Sequence, residues 1–592
     1  MQHFNLIIMK TNFKKYTIAL FLATSLFGGL VGCNKITDLD PLDQIADGNY
    51  WKTANQFKLF ANQFYGWRAD FRSVINDNPH SDYRSDLITN LTPNQYSNGT
   101  NTNTGTDGNF SGAFSKIRLA NTLLLNASKY AAAGEIAQYV AEAKFFRAYL
   151  YFDLLQLFGD APIVDGVLDV NDPILVGKRN NRSEVADFII ADLQAAIPNL
   201  PLENSIPAAD KGRVSRGAAQ AFLSRVALFE GTWQKFRNNT TRATGLLDIA
   251  VNAAKGVMTS TQYELFKPAI LGDSAQKYMF VLEDAKSNPA GITKSANKEY
   301  IFSNRHDETL NPIGTNISHG QFANVVLVAR KFANLYLTQN GLPITNANNT
   351  QFQGYNTITS EYQNRDNRMK HTLMPPRKAY WSNDNGRVNW LGDAADLTTA
   401  VFKSYIPSNS GTGYNNQKWN AERKVTDNFE GYDFPIIRYA EVLLNYAEAV
   451  FERDGAISDT DLDISLNLVR NRVNTTMPKL SNAFATTNNL DMRTEIRRER
   501  TVELYNEGFR IDDLKRWKTA ETEMPQDFLG IRYTGTEYAT AGVWGTTLNR
   551  PKNAEGAIIF ESGRTWADKN YLYPIPADQL KLNPNLGQNP NW

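Results

Sequence analysis

The segment EIRRERTVELYNEGFRIDDLKRW is rich in side chains that can transfer protons or pair with charged groups. Glu499 and Glu503 are one helical turn apart, and Arg510 and Asp513 have the i, i+3 spacing of a helical ion pair. Carboxylates beside arginines occur in acid–base active sites, but also in ion-pair networks that hold helices together. The charged residues concerned are Arg497, Arg498, Glu499, Arg500, Glu503, Glu507, Arg510 and Asp513.

Three alternating aspartates, Asp459, Asp461 and Asp463, begin like a calcium-binding loop. The sixth position of such a loop requires glycine and the twelfth requires glutamate, but these positions hold Ile464 and Arg470. The calcium motif therefore fails. We expect the aspartates in the first turn of a helix, where negative charge complements the helix dipole.

The remaining motifs of metal and nucleophilic chemistry are absent from the sequence. The five histidines, which are His3, His80, His306, His319 and His371, include no HExxH pair. There is also no G-x-S-x-G elbow, Walker A loop or G-x-G-x-x-G fingerprint. We therefore predict no catalytic activity, no metal and no cofactor. A hydrolase remains an alternative, and it requires two carboxylates that face each other in a cleft.

The only cysteine, Cys33, follows an apolar segment. Residues 9–15 are basic and residues 16–31 are uncharged, which is the pattern of a signal peptide and short for a membrane span of roughly 20 residues. The sequence LVGC resembles a bacterial lipobox, in which the cysteine is lipidated. We predict that residues 1–32 are a removed signal peptide and that residues 33–50 are a lipidated tether. Cys33 would then be the lipidation site.

The charge balance excludes some partners. The chain has 592 residues, with 62 basic and 61 acidic side chains and a net charge of +1. A nucleic-acid-binding protein typically carries a marked basic excess, so we predict no nucleic-acid partner. We expect membrane attachment through the lipid anchor only.

Helical periodicity recurs along the chain, and it predicts a mainly α-helical protein. The predicted helices cover residues 55–68, 113–128, 135–158, 183–197, 213–231, 245–258, 434–453, 461–473 and 491–517. Small residues at their contact faces suggest helix pairs of tetratricopeptide type, although no clean 34-residue repeat is present. We predict one domain, 51–592, with a helical scaffold mainly in 51–260 and 430–520. Loop-rich sequence lies mainly in 76–112, 260–430 and 520–592.

An ordered set of segments resembles the SusD/RagB family of outer-membrane lipoproteins from Bacteroidetes. These segments are CNKITDLDP, AEAKFFRAYLYFDLLQLFGDAPIV, RVSRGAAQAFLSRVALFEG, FPIIRYAEVLLNYAEA, the charged segment quoted above and YLYPIPADQLKLNPNLGQNPNW. They span the chain from Cys33 to its end. The chain differs from the family at Trp592, where tyrosine is common, and at Phe110, where tryptophan is common.

The resemblance implies a SusD-like fold, in which four tetratricopeptide-like helix pairs support a large loop-rich ligand-binding region. It also implies a structural role for the charged segment. Independently of the resemblance, Gly508 predicts a break between two helices within this segment. Family members capture a nutrient, usually a glycan, at the cell surface. They pass it to a SusC-like TonB-dependent β-barrel without catalysis.

We expect the ligand residues in two polar, aromatic-containing loop regions, 76–112 and 278–420. Aromatic rings stack on the apolar faces of sugars, and amide, carboxylate and guanidinium groups bind the hydroxyls. Each single aromatic has core packing as its alternative role. The candidate ligand residues are Tyr83, Arg84, Asp86, Tyr96, Asn304, Arg305, Tyr380, Trp381, Trp390 and Trp419.

We therefore predict a lipid-anchored outer-membrane protein, facing the cell exterior, that binds oligosaccharide or polysaccharide and delivers it to a SusC-like transporter. Two further alternatives are open, and the first of them keeps the same fold. One has a peptide ligand, as RagB-like proteins do. The other is a helical-repeat scaffold that binds only the barrel, and it predicts no concave pocket lined by aromatic residues.

Overall fold

The computed structural model describes residues 50–592 except 91, 319–325, 377, 384–385, 391–410, 424–425, 427 and 541–549. The predicted signal peptide and Cys33 lie outside these residues. One compact unit ends at Gln56 and a second comprises Phe57–Trp592, and the contacts described below are those of the second unit. Among the described residues, every helix is too short or too polar to cross a membrane.

Helices dominate the described chain, as predicted. The α-helices are α1 (Ala54–Asn62), α2 (Phe71–Ile75), α3 (Gly108–Ala127), α4 (Ala133–Phe158), α5 (Arg182–Ala196), α6 (Arg216–Lys235), α7 (Thr240–Met258), α8 (Ala275–Phe280), α9 (Arg330–Leu335), α10 (Met369–Thr372), α11 (Tyr439–Asp454), α12 (Asp459–Asp463), α13 (Leu466–Arg470), α14 (Asn482–Thr487), α15 (Met492–Glu503), α16 (Arg510–Arg516), α17 (Ala520–Glu523), α18 (Glu537–Thr540) and α19 (Ala577–Leu582).

The strands are short. Each pairs either with the next strand in the sequence or with a strand from which helices separate it in the sequence. They are β1 (Ile88–Thr89), β2 (Tyr300–Asn304), β3 (Leu327–Val328), β4 (Lys378–Asn383), β5 (Gly386–Trp390), β6 (Phe434–Arg438), β7 (Phe528–Arg532) and β8 (Ala557–Glu561). Within the described residues they form two-stranded antiparallel sheets, β1 with β3, β2 with β6, β4 with β5 and β7 with β8. The β2–β6 pair joins the loop-rich region to α11, which begins directly after β6.

The long helices pack against one another and form the scaffold: α4 contacts α3 and α5, and α7 contacts α6 and α11. Helix α4 is apolar nearly all round, as the sequence predicted, and its C-terminal half is almost completely buried. Small residues bring α6 and α7 together, because a Cβ on Gly231 would lie 3.0 Å from Leu247 Cγ. Helix α5 begins one residue earlier than predicted. Asn181 caps it by accepting a hydrogen bond from the Glu184 N–H.

The aspartate cluster starts a helix, as predicted, and shows no metal-site geometry. Ser458 caps α12 by accepting a hydrogen bond from the Asp461 N–H, and Asp461 in turn accepts hydrogen bonds from Ser458 and Tyr446. The predicted helix over 461–473 is two short helices instead. They are separated at Ser465, whose φ and ψ of −135° and −98° are not helical. Among the described residues, no group of His, Cys, Asp and Glu side chains could hold a metal ion.

The charged segment forms a buried ion-pair network, which confirms the structural interpretation. Glu503 on α15 pairs with Arg438 (2.7 Å) and Arg368 (3.1 Å), and also with Arg472. Burial by itself would raise the pKa of Glu503, but the arginines outweigh this effect and hold the pKa far below its usual range. Glu507 pairs with the same Arg438 at 2.7 Å. We call these ion pairs, together with Glu299 and Lys418, the Glu503 network.

A second group of buried charges lies on the scaffold side of α15. Arg500 bonds to Asp513 at 2.8 Å, and Arg516 pairs with both Asp513 and Glu448. Gly508, with φ +83°, separates α15 from α16, as predicted. The two helices are therefore fixed to each other and to α11 by charge pairs rather than by apolar contacts alone.

The loop-rich region also has an apolar core of its own. Its buried members include Tyr83, Leu87, Val328, Phe332, Tyr336, Met369, Leu373, Tyr414, Tyr505, Ile531 and Ile558. Phe332 on α9 stacks on Tyr505 with ring centroids 3.9 Å apart. This core holds α9 and β7 in place, and these two elements form the walls of the cleft described below.

We predict that Glu503→Gln lowers the free energy of unfolding by about 3–5 kcal/mol, because it leaves three buried arginines without their shared carboxylate. Urea denaturation of the purified protein measures the change. The matched control is Asp578→Asn, which breaks an exposed pair with Lys581 and should cost about 0–1 kcal/mol. Equal stability of the two variants would contradict the structural role of the network.

Candidate ligand-binding cleft

A cleft of about 640 Å³ opens in the loop-rich region, between α9, the segment 343–355 and β7. This volume is in the range of known small-molecule sites, about 300–1,000 Å³. Two further cavities, of about 500 Å³ beside β2 and about 240 Å³ between α4, α6 and α16, are also present. The cleft is the largest of the three, and aromatic and polar side chains are both partly exposed along it.

Phe352 and Tyr355 form the aromatic part of the cleft. Their ring centroids lie 5.2 Å apart in an edge-to-face arrangement, and both side chains are half-buried. The Tyr355 hydroxyl donates to Asn334 Oδ1 at 3.0 Å. The guanidinium of Arg330 lies 4.7 Å from the Tyr355 ring centroid, and that of Arg532 lies 5.9 Å away. The ring is therefore held in a fixed orientation.

Ion pairs line the remainder of the cleft. Arg330 pairs with Glu555 at 2.9 Å. Lys331 pairs with Asp86 at 2.6 Å and also with Glu523. Each of these carboxylates is thus paired with a cation, and Asp86 and Glu523 share Lys331.

Among the carboxylates of these ion pairs, Asp86 is the buried one. Arg510 donates to both of its carboxylate oxygens, at 2.8 and 2.9 Å, so the cleft is tied to α16. Burial alone would raise the pKa of Asp86, but Arg510 and Lys331 outweigh it, and the pKa lies well below its usual range. Asp86 therefore remains ionised and holds Lys331 at the wall of the cleft.

The structure places several of the candidate ligand residues in the core. Tyr83 is 2% exposed and Trp419 is 1% exposed. The Trp419 indole donates to the Asn506 carbonyl, and its ring packs against Phe71 and Phe280. Composition pointed to these residues, but burial leaves neither ring face available to a ligand in this conformation.

Arg84 and Tyr96 face each other rather than open solvent. The Arg84 guanidinium lies 3.6 Å from the centroid of the Tyr96 ring. The same Tyr96 ring stacks on Tyr573 at 5.1 Å, and Arg84 also bonds to Asp77 at 2.6 Å. These residues fix the 76–112 loop against the C-terminal segment.

The other candidates fall into two groups. Asn304 accepts a hydrogen bond from Arg68, and Arg305 is exposed beside the cavity of about 500 Å³. Tyr380, Trp381 and Trp390 lie on the β4–β5 hairpin, where Tyr380 is opposite Val388, Trp381 is opposite Arg387 and Trp390 is opposite Lys378. Of the seven candidates whose side chains the structure describes, only Asp86 lines the cleft.

The residues that define the cleft were missed by the sequence analysis. Phe352, Tyr355, Asn334 and Arg330 lie in or beside sequence without helical or strand periodicity. The signal that could have indicated them is local composition. The segment NNTQFQGYNT combines two aromatic rings with amides, hydroxyls and a glycine, which suits an exposed binding loop.

Comparison with known proteins decides the family. Residues 292–592, just over half of the chain, match the sequence model of the SusD family. The chain belongs to the SusD family. A second family model, described as starch-binding and associating with the outer membrane, matches residues 48–228 of this SusD family protein. The resemblance found in the sequence is therefore confirmed.

Curated relatives of this SusD family protein align over part of their length. A SusD-like protein of Bacteroides ovatus is 31% identical over 27% of this chain and 28% of its own. SusD-like protein P2 of Formosa agariphila is 26% identical over 38% of this chain and 44% of its own. The chain thus aligns with less than half the length of either relative.

Solved structures confirm the SusD-like fold over nearly the whole chain. A SusD-like carbohydrate binding protein from Bacteroides fragilis has a TM-score of 0.71 and 20% identity, and the match covers 90% of this chain and 99% of that one. Surface glycan-binding protein A from Bacteroides fluxus has a TM-score of 0.58 and 20% identity, with 91% and 100% covered. At this identity, the similarity concerns the fold.

We predict that Asp86→Asn destabilises this SusD family protein in a pH-dependent way. Because the folded pKa of Asp86 is lowered, its ion pairs add stability above about pH 4, and this stability is lost as the pH falls through the folded pKa. The variant should lose about 3 kcal/mol of unfolding free energy at pH 7. The difference from wild type should shrink below about pH 4.

Denaturant unfolding at a series of pH values measures this difference. The control is Asp527→Asn, an exposed carboxylate at the same cleft, which should change stability by less than about 0.5 kcal/mol at any pH. A difference between wild type and Asp86→Asn that does not vary with pH would show that the mutation acts through packing rather than through charge.

Proposed function

We propose that this protein is a lipid-anchored, surface-exposed outer-membrane protein that binds an oligosaccharide or polysaccharide. We propose further that it delivers the glycan to a SusC-like TonB-dependent transporter without cleaving it. The observation that supports a glycan ligand is the cleft of about 640 Å³, where Phe352 and Tyr355 are partly exposed among polar side chains.

The chemistry of the cleft suits a polyhydroxylated ligand. The rings of Phe352 and Tyr355 offer flat apolar surface for the C–H faces of sugars. Asn334, Thr345 and Gln526 supply amide and hydroxyl groups that can donate and accept hydrogen bonds. Because ion pairs already occupy most of the charges, a neutral ligand can bind without breaking them.

The family supports the same ligand class and the same cellular location. One matching family model is described as starch-binding and associating with the outer membrane. Structures with the same fold are described as a carbohydrate binding protein and as a surface glycan-binding protein. The lipobox-like sequence that ends at Cys33 supports lipid anchoring. Membership of the family supports the proposed delivery to the transporter and the proposed outward orientation.

Calorimetric titration tests the ligand class. Full-length protein, purified from membranes in detergent, is titrated with neutral oligosaccharides and with peptides, and each mixture is analysed for cleavage products. We expect saturable binding of one glycan class without cleavage. Binding of peptides alone would replace the glycan with the RagB-like ligand, whereas cleavage would contradict the non-enzymatic function. No binding of either class would leave only the scaffold function.

Variants of Tyr355 test whether that binding occurs in the cleft. Tyr355→Ala removes the ring and should weaken glycan binding about tenfold or more, which corresponds to about 1.4 kcal/mol. Tyr355→Phe is the matched control, since it keeps the ring and removes the hydroxyl that donates to Asn334. It should bind within a few-fold of wild type. If both variants bind like wild type, the glycan site lies elsewhere.

We also predict that Cys33→Ala releases the protein from the membrane, because the cysteine carries the acyl chains. Fractionation of cells that lack the transporter should find wild type with the membranes and the variant in the soluble fraction. As a control, Lys35→Ala changes a neighbouring residue and should stay with the membranes. A variant at Cys33 that still sediments with membranes in such cells would refute the anchor.

A further inference from the structure

The cavity of about 500 Å³ beside β2 is a groove in which basic side chains predominate. The complete chain is almost neutral, at +1, yet five basic and two acidic side chains line this groove. The basic side chains are Lys211, Arg213, Lys294, Lys298 and Arg305, and the acidic ones are Glu203 and Asp433. We call this cavity the basic groove. It shares no lining residue with the cleft around Tyr355.

Two of the five cations are fully engaged within the protein. Arg213 forms two bonds to Glu142, at 2.6 and 2.9 Å, and Glu142 lies outside the groove. Lys294 pairs with Asp433 at 2.6 Å and also donates to two backbone carbonyls. These two side chains have a structural role, and Asp433 is neutralised by one of them.

The other three cations are engaged less completely. Lys298 pairs with Glu264 at 3.1 Å, but both side chains are more than 60% exposed, and such surface pairs contribute little. Lys211 pairs with the Glu203 carboxylate at 3.3 Å and also donates to the Glu203 carbonyl at 2.6 Å. Arg305 is exposed and makes no ion pair with any described residue. Among the described residues, the groove therefore exposes one cation without an ion-pair partner, Arg305.

Arg305 is also held in position. Its Nη1 donates to the Lys211 carbonyl at 3.1 Å. Its aliphatic part packs on Gly212, where a Cβ would lie 3.0 Å from Arg305 Cδ and where φ is +99°. The remaining guanidinium N–H groups make no hydrogen bond with any described residue. A guanidinium that is oriented in this way can bind a carboxylate or sulfate with two parallel hydrogen bonds.

We infer that the basic groove is a second saccharide site, which binds a sugar unit carrying a carboxylate or sulfate group. Arg305 would bind the anionic group, with Lys211 and Lys298 beside it. Asn204, Gln262 and Ser303 would contact the hydroxyls. The inference rests on the proposed function only for the saccharide nature of the ligand. The anionic character follows from the charges of the groove.

Titration with defined oligosaccharides tests the inference. The probes are an oligogalacturonate, which carries carboxylates, a chondroitin sulfate tetrasaccharide, which also carries sulfates, and neutral maltotetraose. The proteins are full-length wild type, Arg305→Gln, Tyr355→Ala and Lys286→Gln. Lys286 is 75% exposed and lies outside the groove, so Lys286→Gln is the matched control for loss of one surface charge.

We expect at least one anionic probe to bind wild type and to bind Arg305→Gln at least about tenfold more weakly. Binding should also weaken as salt increases. Lys286→Gln and Tyr355→Ala should bind the anionic probe like wild type. Comparison of the two anionic probes then distinguishes carboxylate from sulfate recognition.

Two results would overturn the inference: no binding of either anionic probe at low salt, or equal binding by wild type and Arg305→Gln. Failure of the proposed function gives a different pattern. In that case neutral glycans do not bind and Tyr355→Ala has no effect, but the loss of anionic binding in Arg305→Gln persists. The groove and the cleft are thus tested independently.

Discussion

The buried carboxylate of Glu503 is the interaction on which the rest of the structure depends. It binds Arg368, Arg438 and Arg472, which come from three separate stretches of the chain. Isolated buried charges cost far more than buried apolar groups, so each member of the network requires all the others in place. The network therefore specifies one arrangement of the helical scaffold against the loop-rich region, which contains few long elements of its own.

Both candidate binding surfaces are connected to this network through neighbouring elements of the chain. Glu299 pairs with Arg438 and Arg472 and directly precedes β2, whose far end leads to Arg305 in the basic groove. On the other side, α16 follows α15 and carries Arg510, which holds Asp86 at the wall of the cleft. Loops supply the candidate binding groups. The buried ion pairs fix the helices and strands from which those loops begin.

The sequence predicted the parts of the fold that follow from periodicity or from backbone chemistry. The long helices, the break at Gly508 and the structural role of the charged segment are all confirmed. The ligand residues were harder to predict, because an aromatic ring in a loop has the same composition whether it faces solvent or the core. Trp419 and Tyr83 are buried, and Tyr355, which no pattern indicated, is partly exposed.

The two surfaces differ more clearly in how their charges are paired than in their residue composition. In the cleft, Arg330 and Lys331 are each matched by a carboxylate, so the site presents hydrogen-bonding groups and aromatic faces with little net charge. In the groove, Arg305 is fixed by a backbone carbonyl instead, and its charge is left for a ligand. If both proposed sites bind saccharide, a polysaccharide long enough to span them would be held by its neutral and anionic parts at once. Such double attachment raises the effective affinity without either site having to bind tightly.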